Sequence, residues 1–149
     1  MRAVIQRVTE AEVIVGGQTI GRIGQGIVAL VGFADTDGAD DLGWMARKIA
    51  GLRIFNDSDG KMNLSVRQVQ GKILVVPNFT LYGDVSRGRR PSFASAAHPE
   101  VAEQLFDQFA ERLRNQGEEI VCGQFGASMQ VNIVNDGPVT LVIDTESAR

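Results

Sequence analysis

The segment from Met129 to Asp144 constrains the fold most, because two β-branched runs flank Asn135-Asp136-Gly137-Pro138. Runs of this kind on either side of a short Gly- and Pro-containing stretch predict two strands joined by a tight turn. Pro138 fixes one backbone angle and removes a hydrogen-bond donor, and an X-Pro bond can also be cis. Turn chemistry alone favours an ordinary hairpin that closes the chain.

Composition favours one cytoplasmic domain spanning residues 1–149. The chain has 149 residues, of which 44% are hydrophobic. This is enough for a hydrophobic core that needs no disulfide or metal ion to stabilise it. No apolar run approaches the about 20 residues that cross a bilayer, so we expect no membrane contact. Charges inside the apolar run from Met1 to Val8 do not predict a secretory leader. With Cys122 as the only cysteine, no intramolecular disulfide is expected.

Charge and ligand residues narrow the function. A net charge of −3 argues against a protein that coats a long track of nucleic acid, although a local basic patch could still grip one RNA end. One histidine and one cysteine give no metal-ligand cluster, so we expect no metal and no cofactor. His98 precedes Pro99 at a predicted helix start, which indicates a capping or surface residue.

Hydrophobic periodicity predicts a mixed α/β domain, rich in strands, with two main helices. A glycine pair, Gly16-Gly17, indicates a hairpin turn after the first strands. Predicted strands cover residues 2–8, 11–15, 27–33, 53–55, 73–76 and 119–122. The first helix follows the acidic turn 35–41 and has an apolar face of Leu42, Met45, Ala46, Ile49 and Leu52, with Trp44 off that face. The second helix covers 99–115, with a stripe of Val101, Leu105, Phe109 and Leu113.

A second informative stretch follows the strand 73–76 and reads Pro77-Asn78-Phe79-Thr80. Pro77 lacks an N–H group, so the strand ladder is interrupted here. The backbone N–H groups freed in this way can hold a carbonyl oxygen or an oxyanion. The Thr80 hydroxyl is suggestively placed, but nothing nearby in sequence would activate it as a nucleophile. The chain also has no nucleophile elbow and no plausible triad.

A basic loop follows, containing Arg87, Arg89 and Arg90 beside glycine and proline. Three guanidinium groups in such a loop can form bidentate hydrogen bonds with phosphate oxygens. A merely solvated loop is the alternative. The residues alone therefore predict an α/β domain and leave an RNA-contacting function open.

Seven segments together resemble the D-aminoacyl-tRNA deacylase family, in order along nearly the whole chain. They are Met1-Arg-Ala-Val-Ile-Gln-Arg-Val8, Leu52-Arg-Ile-Phe55, Gly60-Lys-Met-Asn-Leu-Ser65, Asn78-Phe-Thr-Leu-Tyr82, Gly88-Arg-Arg-Pro-Ser-Phe93, Phe125-Gly-Ala-Ser-Met129 and Asn135-Asp-Gly-Pro-Val-Thr140. The resemblance implies a mostly antiparallel, barrel-like sheet with two main helices. It also implies a homodimeric, metal-free esterase that removes D-amino acids, and glycine, from the 3′-terminal adenosine of tRNA.

The resemblance also implies roles for individual residues. Gly137 and Pro138 would form a cis pair that reaches into the partner's pocket, where their carbonyls exclude an L side chain. Arg7 would hold this loop, and Phe79 would supply the N–H group that binds the substrate carbonyl. Thr80 would lie beside the adenosine.

Further implied roles concern the adenosine pocket and catalysis. Phe125 and Met129 would line the pocket, and the terminal 2′-OH of the tRNA would assist catalysis. Pro77 and Asn78 stand where the family motif has Ser and Gln, which we expect to affect the rate and the rejection of L-amino acids. A related deacylase branch with relaxed chiral selection also has proline at the first of these positions. Ser128 replaces a usual acidic residue, a milder change.

Two other functions follow from the same features. One is a non-catalytic homodimer that binds the tRNA end and has lost turnover through the altered pair Pro77-Asn78. The other is a ribosome- or tRNA-associated module that uses the Arg87–Arg90 loop. Within the family, Thr80 as a covalent nucleophile is a further alternative mechanism.

Overall fold

The computed structural model describes residues 1–148 and has the predicted α/β class. Within these residues the strands are β1 Arg2–Val15, β2 Gln18–Ile23, β3 Gly26–Gly32, β4 Phe55–Asn56, β5 Met62–Leu64, β6 Lys72–Pro77, β7 Ile120–Cys122 and β8 Gln130–Asp144. The helices are α1 Ala39–Ala50 and α2 Pro99–Asn115. Short 3-10 turns cover Phe79–Tyr82 and Glu146–Ala148. No helix within the described residues is long and apolar enough to cross a membrane.

The main sheet is mixed and curls over itself. Its strand order is β2-β1-β3-β6-β7, with β8 also paired to β1, while β4 and β5 form a separate pair. The β3–β6 and β6–β7 pairs are parallel, and the pairs that β1 makes are antiparallel. Strand β1 is long enough to pair with β3 through its first half and with β2 through its second half. The resulting sheet is barrel-like, as the resemblance implies.

The predicted hairpin around Gly137-Pro138 is wrong. Residues 130–144 form one continuous strand, and both of its halves run antiparallel to β1. The register shifts between the two halves, so the segment around Gly137 bulges out of the ladder. Two apolar runs separated by Gly-Pro fit a bulged strand as well as a hairpin, because a bulge also takes a glycine with unusual backbone angles. By contrast, the predicted turn at Gly16-Gly17 is confirmed, with both glycines at positive φ.

The sheet carries apolar side chains on both faces. One face packs against the helices, and its residues Ile5, Ala29 and Val75 are buried in the same cluster as Phe109 of α2. The other face closes a smaller cluster inside the curled sheet. The run that forms β3 is buried on both faces, as predicted, apart from a partly buried Leu30.

The helices differ from prediction only in detail. The predicted apolar face of α1 is buried except for Leu52, which lies beyond the end of the helix at Ala50 and is partly buried. Trp44 beside this face is partly exposed, with the Lys48 ammonium 5.2 Å from its ring centre. In α2 the buried stripe begins at Ala102, whereas Val101 is 40% exposed. The prediction that Val101 lies on the buried stripe is wrong. The buried stripe is rotated about the helix axis by one residue and runs through Ala102, Leu105 and Phe106.

Candidate active site

In the described part of the chain, the backbone that follows β6 leaves two N–H groups without a ladder or turn partner. The last bond to the sheet runs from the Asn78 N–H to the Val31 carbonyl, at 2.7 Å. The first bond of the Phe79–Tyr82 turn runs from the Leu81 N–H to the Asn78 carbonyl, at 3.3 Å. The N–H groups of Phe79 and Thr80 fall between these two bonds. They resemble the unpaired donors at the start of any helical turn, which can bind an anion or a carbonyl oxygen.

The side chains of this turn are partly open to solvent. The Phe79 side chain is 58% exposed and packs edge-to-face on Phe93, with ring centres 5.0 Å apart. The Thr80 hydroxyl donates to the Asn78 side-chain oxygen at 2.5 Å. A carboxamide oxygen is too weak a base to take that proton, so this contact orients Thr80 without activating it as a nucleophile. Phe93 is a contact that the sequence did not reveal, although it ends the segment Gly88–Phe93.

The segment after β7 forms a wall next to Pro77. A Cβ atom at Gly123 would lie 3.0 Å from the Met129 sulfur and 3.4 Å from Pro77 Cδ. The structure thus brings Met129 and Pro77 to the same glycine. The Phe125 ring packs on Phe106 of α2, with centres 6.2 Å apart, and lines an open groove of about 510 Å³ between α2 and this segment. A flat, partly exposed aromatic ring here is suited to contact with a nucleobase.

Arg7 anchors the Gly137-Pro138 segment to the rest of the fold. Its side chain is buried, with Nε donating to the Asp136 carbonyl at 2.9 Å and Nη1 donating to the Ile54 carbonyl at 2.7 Å. Asn135 braces the other side, because its side chain bonds the Val139 N–H and carbonyl at 2.9 and 3.0 Å. The segment itself is therefore fixed at both ends while Gly137 and Pro138 are exposed.

The backbone of this segment requires glycine. The Gly137-Pro138 peptide bond is cis, and Gly137 has a φ of +150°. A Cβ atom at Gly137 would lie 2.6 Å from the Val139 nitrogen, which is backbone and cannot move aside cheaply. At position 137, a residue with a Cβ atom would therefore reproduce this backbone only with distortion.

Within one chain, this segment and the Phe79–Tyr82 turn lie far apart. Through β3, Pro77 is level with Ala3 of β1, whereas Arg7 is level with Ile73. Four residues of strand separate these levels, about 13 Å at 3.3 Å per residue. The two features also lie on strands that are not neighbours. The structure does not bring Gly137 and Phe79 to one pocket in a single chain.

The basic loop leaves directly from the Phe79–Tyr82 turn. Asp84 and Ser92 close its base through two backbone bonds of 2.7 and 2.9 Å, so the next residue, Phe93, reaches Phe79. Arg87, Arg89 and Arg90 are all exposed on this loop. Their side chains therefore face solvent, on a loop whose base adjoins the turn.

The remaining titratable candidate lies elsewhere. His98 is exposed at the start of α2, where its Nδ1 lies 2.8 Å from Asp35. Bonds from His98 lower the pKa of Asp35. In residues 1–148 no group of three or more His, Cys, Asp and Glu is placed to hold a metal ion.

The fold and the site define the class of protein. It is an α/β protein that combines a turn with unpaired N–H groups, a glycine-proline segment fixed by a buried arginine, and an aromatic wall. Residues 4–144 match the model of the family described as D-Tyr-tRNA(Tyr) deacylase. The D-aminoacyl-tRNA deacylase of Desulfitobacterium hafniense strain Y51 is 56% identical over 98% of each chain. That of Thermotoga petrophila is 52% identical over 97% of each chain. The chain belongs to the D-Tyr-tRNA(Tyr) deacylase family.

Two solved structures agree with this fold. One, named c-Myc DNA unwinding element binding protein, has a TM-score of 0.91 and 46% identity and covers 97% of this chain and 98% of its own. The other, a probable eukaryotic D-amino acid tRNA deacylase, has a TM-score of 0.79 and 20% identity and covers 95% of this chain and 97% of its own. At that identity, the second likeness concerns the fold alone.

Proposed function

We propose that this protein hydrolyses the ester bond of D-aminoacyl-tRNA and of glycyl-tRNA, releasing the free amino acid and tRNA in the cytoplasm. The observation that carries the proposal is the pair of unpaired N–H groups at Phe79 and Thr80, beside exposed and aromatic surface. Family membership and the names of relatives more than 50% identical support the same reaction.

Catalysis rests on backbone donors and on the substrate. The ester carbonyl accepts a hydrogen bond from the Phe79 N–H, which stabilises the oxyanion as water attacks. A donor of this kind contributes about 2.7–4 kcal/mol to the transition state. The terminal 2′-OH of the tRNA assists the attack, since the Thr80 hydroxyl is already bonded to Asn78 and the Tyr82 hydroxyl of the same turn is buried. Pro77 and Asn78 shape the floor of the site, and Phe125 and Met129 hold the terminal adenosine.

Chirality is read by the Gly137-Pro138 carbonyls of a second copy of the chain. The separation of Gly137 from Phe79 within one chain supports a homodimer, because only a partner could place the segment in the pocket. Exposed apolar side chains on β8, Val134 at 48% and Val142 at 76%, offer surface for the partner. An L side chain would meet the rigid carbonyls. Rejecting it a thousandfold needs about 4 kcal/mol, a magnitude that a steric clash supplies readily.

The tRNA body binds through the basic loop. Arg89 and Arg90 are exposed, and their loop is joined to the proposed site by the contact between Phe93 and Phe79. Guanidinium groups there suit the phosphates next to the terminal adenosine.

The test is deacylation of D-Tyr-tRNA and L-Tyr-tRNA by the purified protein, with and without EDTA. We expect D-Tyr-tRNA to be cleaved, L-Tyr-tRNA to survive and EDTA to have no effect. Cleavage of both isomers would contradict the chiral gate. Cleavage of neither would refute hydrolysis.

Nucleic-acid binding without turnover is the second candidate, as a homodimer on the tRNA end. It is favoured by the name of the 46% identical relative, which describes a DNA-binding protein, and by the exposed arginines. Retained binding of tRNA, or of DNA, by a protein that cleaves neither Tyr-tRNA would support it.

A further inference from the structure

Arg2, at the start of β1, connects the proposed active-site turn to the end of β8. Its Nε donates to the Asp144 carboxylate at 2.8 Å, and its Nη1 donates to the Leu81 carbonyl at 3.3 Å. Its guanidinium carbon also lies 4.5 Å from the centre of the Tyr82 ring. One side chain therefore contacts the last two residues of the Phe79–Tyr82 turn while Asp144 orients it.

Tyr82 depends on such a contact because, within the described residues, its hydroxyl group makes no hydrogen bond that would fix the ring. The residue is 3% exposed, and within the described residues its buried hydroxyl has no hydrogen-bond partner. Burial raises the pKa of Tyr82, so the ring stays neutral and presents its π face to the cation above it. The hydrogen bond that Arg2 donates to Asp144 raises the pKa of Arg2, which keeps the guanidinium charged. The ring is thus located by packing and by Arg2.

The floor under the turn is the backbone of Gly32, the residue opposite Arg2 in the β1–β3 ladder. A Cβ atom at Gly32 would lie 2.9 Å from the Asn78 carbonyl and 3.3 Å from both Leu81 Cβ and the Tyr82 ring. The turn therefore rests directly on the sheet. The Asn78 N–H bond to β3 fixes its first end, and Arg2 fixes its last end.

The Arg2–Asp144 pair has too much solvent contact to matter mainly for stability. The side chains are 36% and 20% exposed, and an ion pair with this exposure contributes little to the free energy of unfolding. The position of the turn, by contrast, affects the rate of the reaction. Misplacing a catalytic group by 1 Å costs about 100-fold in rate, because the donor must point at the place where charge develops.

We infer that Arg2, oriented by Asp144, is a positioning residue for ester hydrolysis: it fixes the Phe79–Tyr82 turn so that the Phe79 N–H keeps its aim at the substrate carbonyl. This inference rests on the function proposed above. Arg2 touches neither substrate nor reacting atoms. Its effect passes through Leu81 and Tyr82 to Phe79.

The experiment compares Arg2→Met, Arg2→Lys and the wild type, with Arg22→Met as the matched control. Methionine keeps an apolar side chain over Tyr82 and loses both hydrogen bonds. Lysine keeps the positive charge but lacks the planar guanidinium, which donates hydrogen bonds in two directions. Arg22, which lies on β2, also pairs with a carboxylate, that of Glu10. Unlike the side chains of the Arg2–Asp144 pair, both of these side chains are more than half exposed. The readouts are kcat and KM on D-Tyr-tRNA, the melting temperature and amide hydrogen exchange at Leu81–Gly83.

For Arg2→Met we expect kcat to fall about tenfold or more, with KM within about twofold of the wild type. Exchange at Leu81–Gly83 accelerates, exchange in β3 stays unchanged, and the melting temperature shifts little. Arg2→Lys recovers part of the lost kcat, and Arg22→Met matches the wild type. Asp144→Asn, which keeps an acceptor but loses the charge, reproduces the defect of Arg2→Met in a weaker form.

Wild-type kcat in Arg2→Met would overturn the inference, as would a lower kcat with unchanged exchange in the turn. A loss of activity that only follows a lower melting temperature, in both Arg2→Met and Asp144→Asn, would assign Arg2 a structural role instead. Failure of the wild type to cleave D-Tyr-tRNA would refute the proposed function. The exchange comparison would then still decide whether Arg2 holds the turn.

Discussion

Replacing Phe79 by proline removes the proposed oxyanion donor and nothing else in the backbone. Proline is tolerated at the first position of a helical turn, where its missing N–H has no partner. The preceding residue, Asn78, has φ −147° and ψ 88°, so it lies outside the helical region that proline disfavours in the residue before it. The substitution therefore tests the N–H group with little cost to the fold.

Phe79→Ala is the matched control, because it keeps the N–H and loses the same ring. Loss of the contact with Phe93 costs both variants about 0.5–1.5 kcal/mol, so this term cancels in the comparison. What remains is the donor itself, about 2.7–4 kcal/mol or 10²–10³ in kcat. We expect Phe79→Pro to cleave D-Tyr-tRNA that much more slowly than Phe79→Ala.

The assay is single-turnover release of tyrosine from D-Tyr-tRNA at saturating enzyme, which separates chemistry from binding. Melting curves of both variants show whether the fold survives. Equal rates for Phe79→Pro and Phe79→Ala, with both proteins folded, would refute the role of this N–H group.

Three further predictions concern the other parts of the site. Gly137→Ala should lose at least about tenfold in kcat/KM, since the new Cβ meets the Val139 backbone and forces the segment to move. Gly16→Ala, also at positive φ but in open space, should lose stability and keep its activity. Arg7→Lys should lower both melting temperature and activity, because lysine cannot donate to the Asp136 and Ile54 carbonyls together. The double variant Arg89→Ala with Arg90→Ala should weaken tRNA binding and flatten its salt dependence by about 1.5 in log–log slope. Binding of a bare aminoacyl-adenosine analogue by that variant should not change, and an equal loss for both ligands would contradict a role in binding the tRNA body.

Sequence periodicity was a good guide to the helices, the buried strand β3 and the end of β6 at Pro77. Each of these depends on local features, an apolar stripe or a missing N–H group. It failed at β8, because a glycine-proline pair between apolar runs does not reveal whether the chain reverses. Only the pairing of both halves with β1 distinguishes a bulged strand from a hairpin.

The candidate site was partly predictable for the same reason. The residues after Pro77 stood out because an interrupted ladder frees donors. Site roles for Arg7, Gly137 and Met129 follow only from the resemblance, since their contacts join residues far apart in sequence. The contacts of Arg2 with Leu81 and Asp144, and of Phe93 with Phe79, carry no local signal. They appear only when the strands are assembled.

Complementation between two impaired variants tests the central claim, a pocket completed by a second copy, most directly. Gly137→Ala damages the chiral segment and keeps the Phe79 N–H, whereas Phe79→Pro does the reverse. In a mixed dimer, one pocket combines both defects and the other combines neither. Random pairing of equal amounts should restore about a quarter of wild-type D-Tyr-tRNA cleavage. Activity no higher than the average of the two separate variants would contradict a shared pocket.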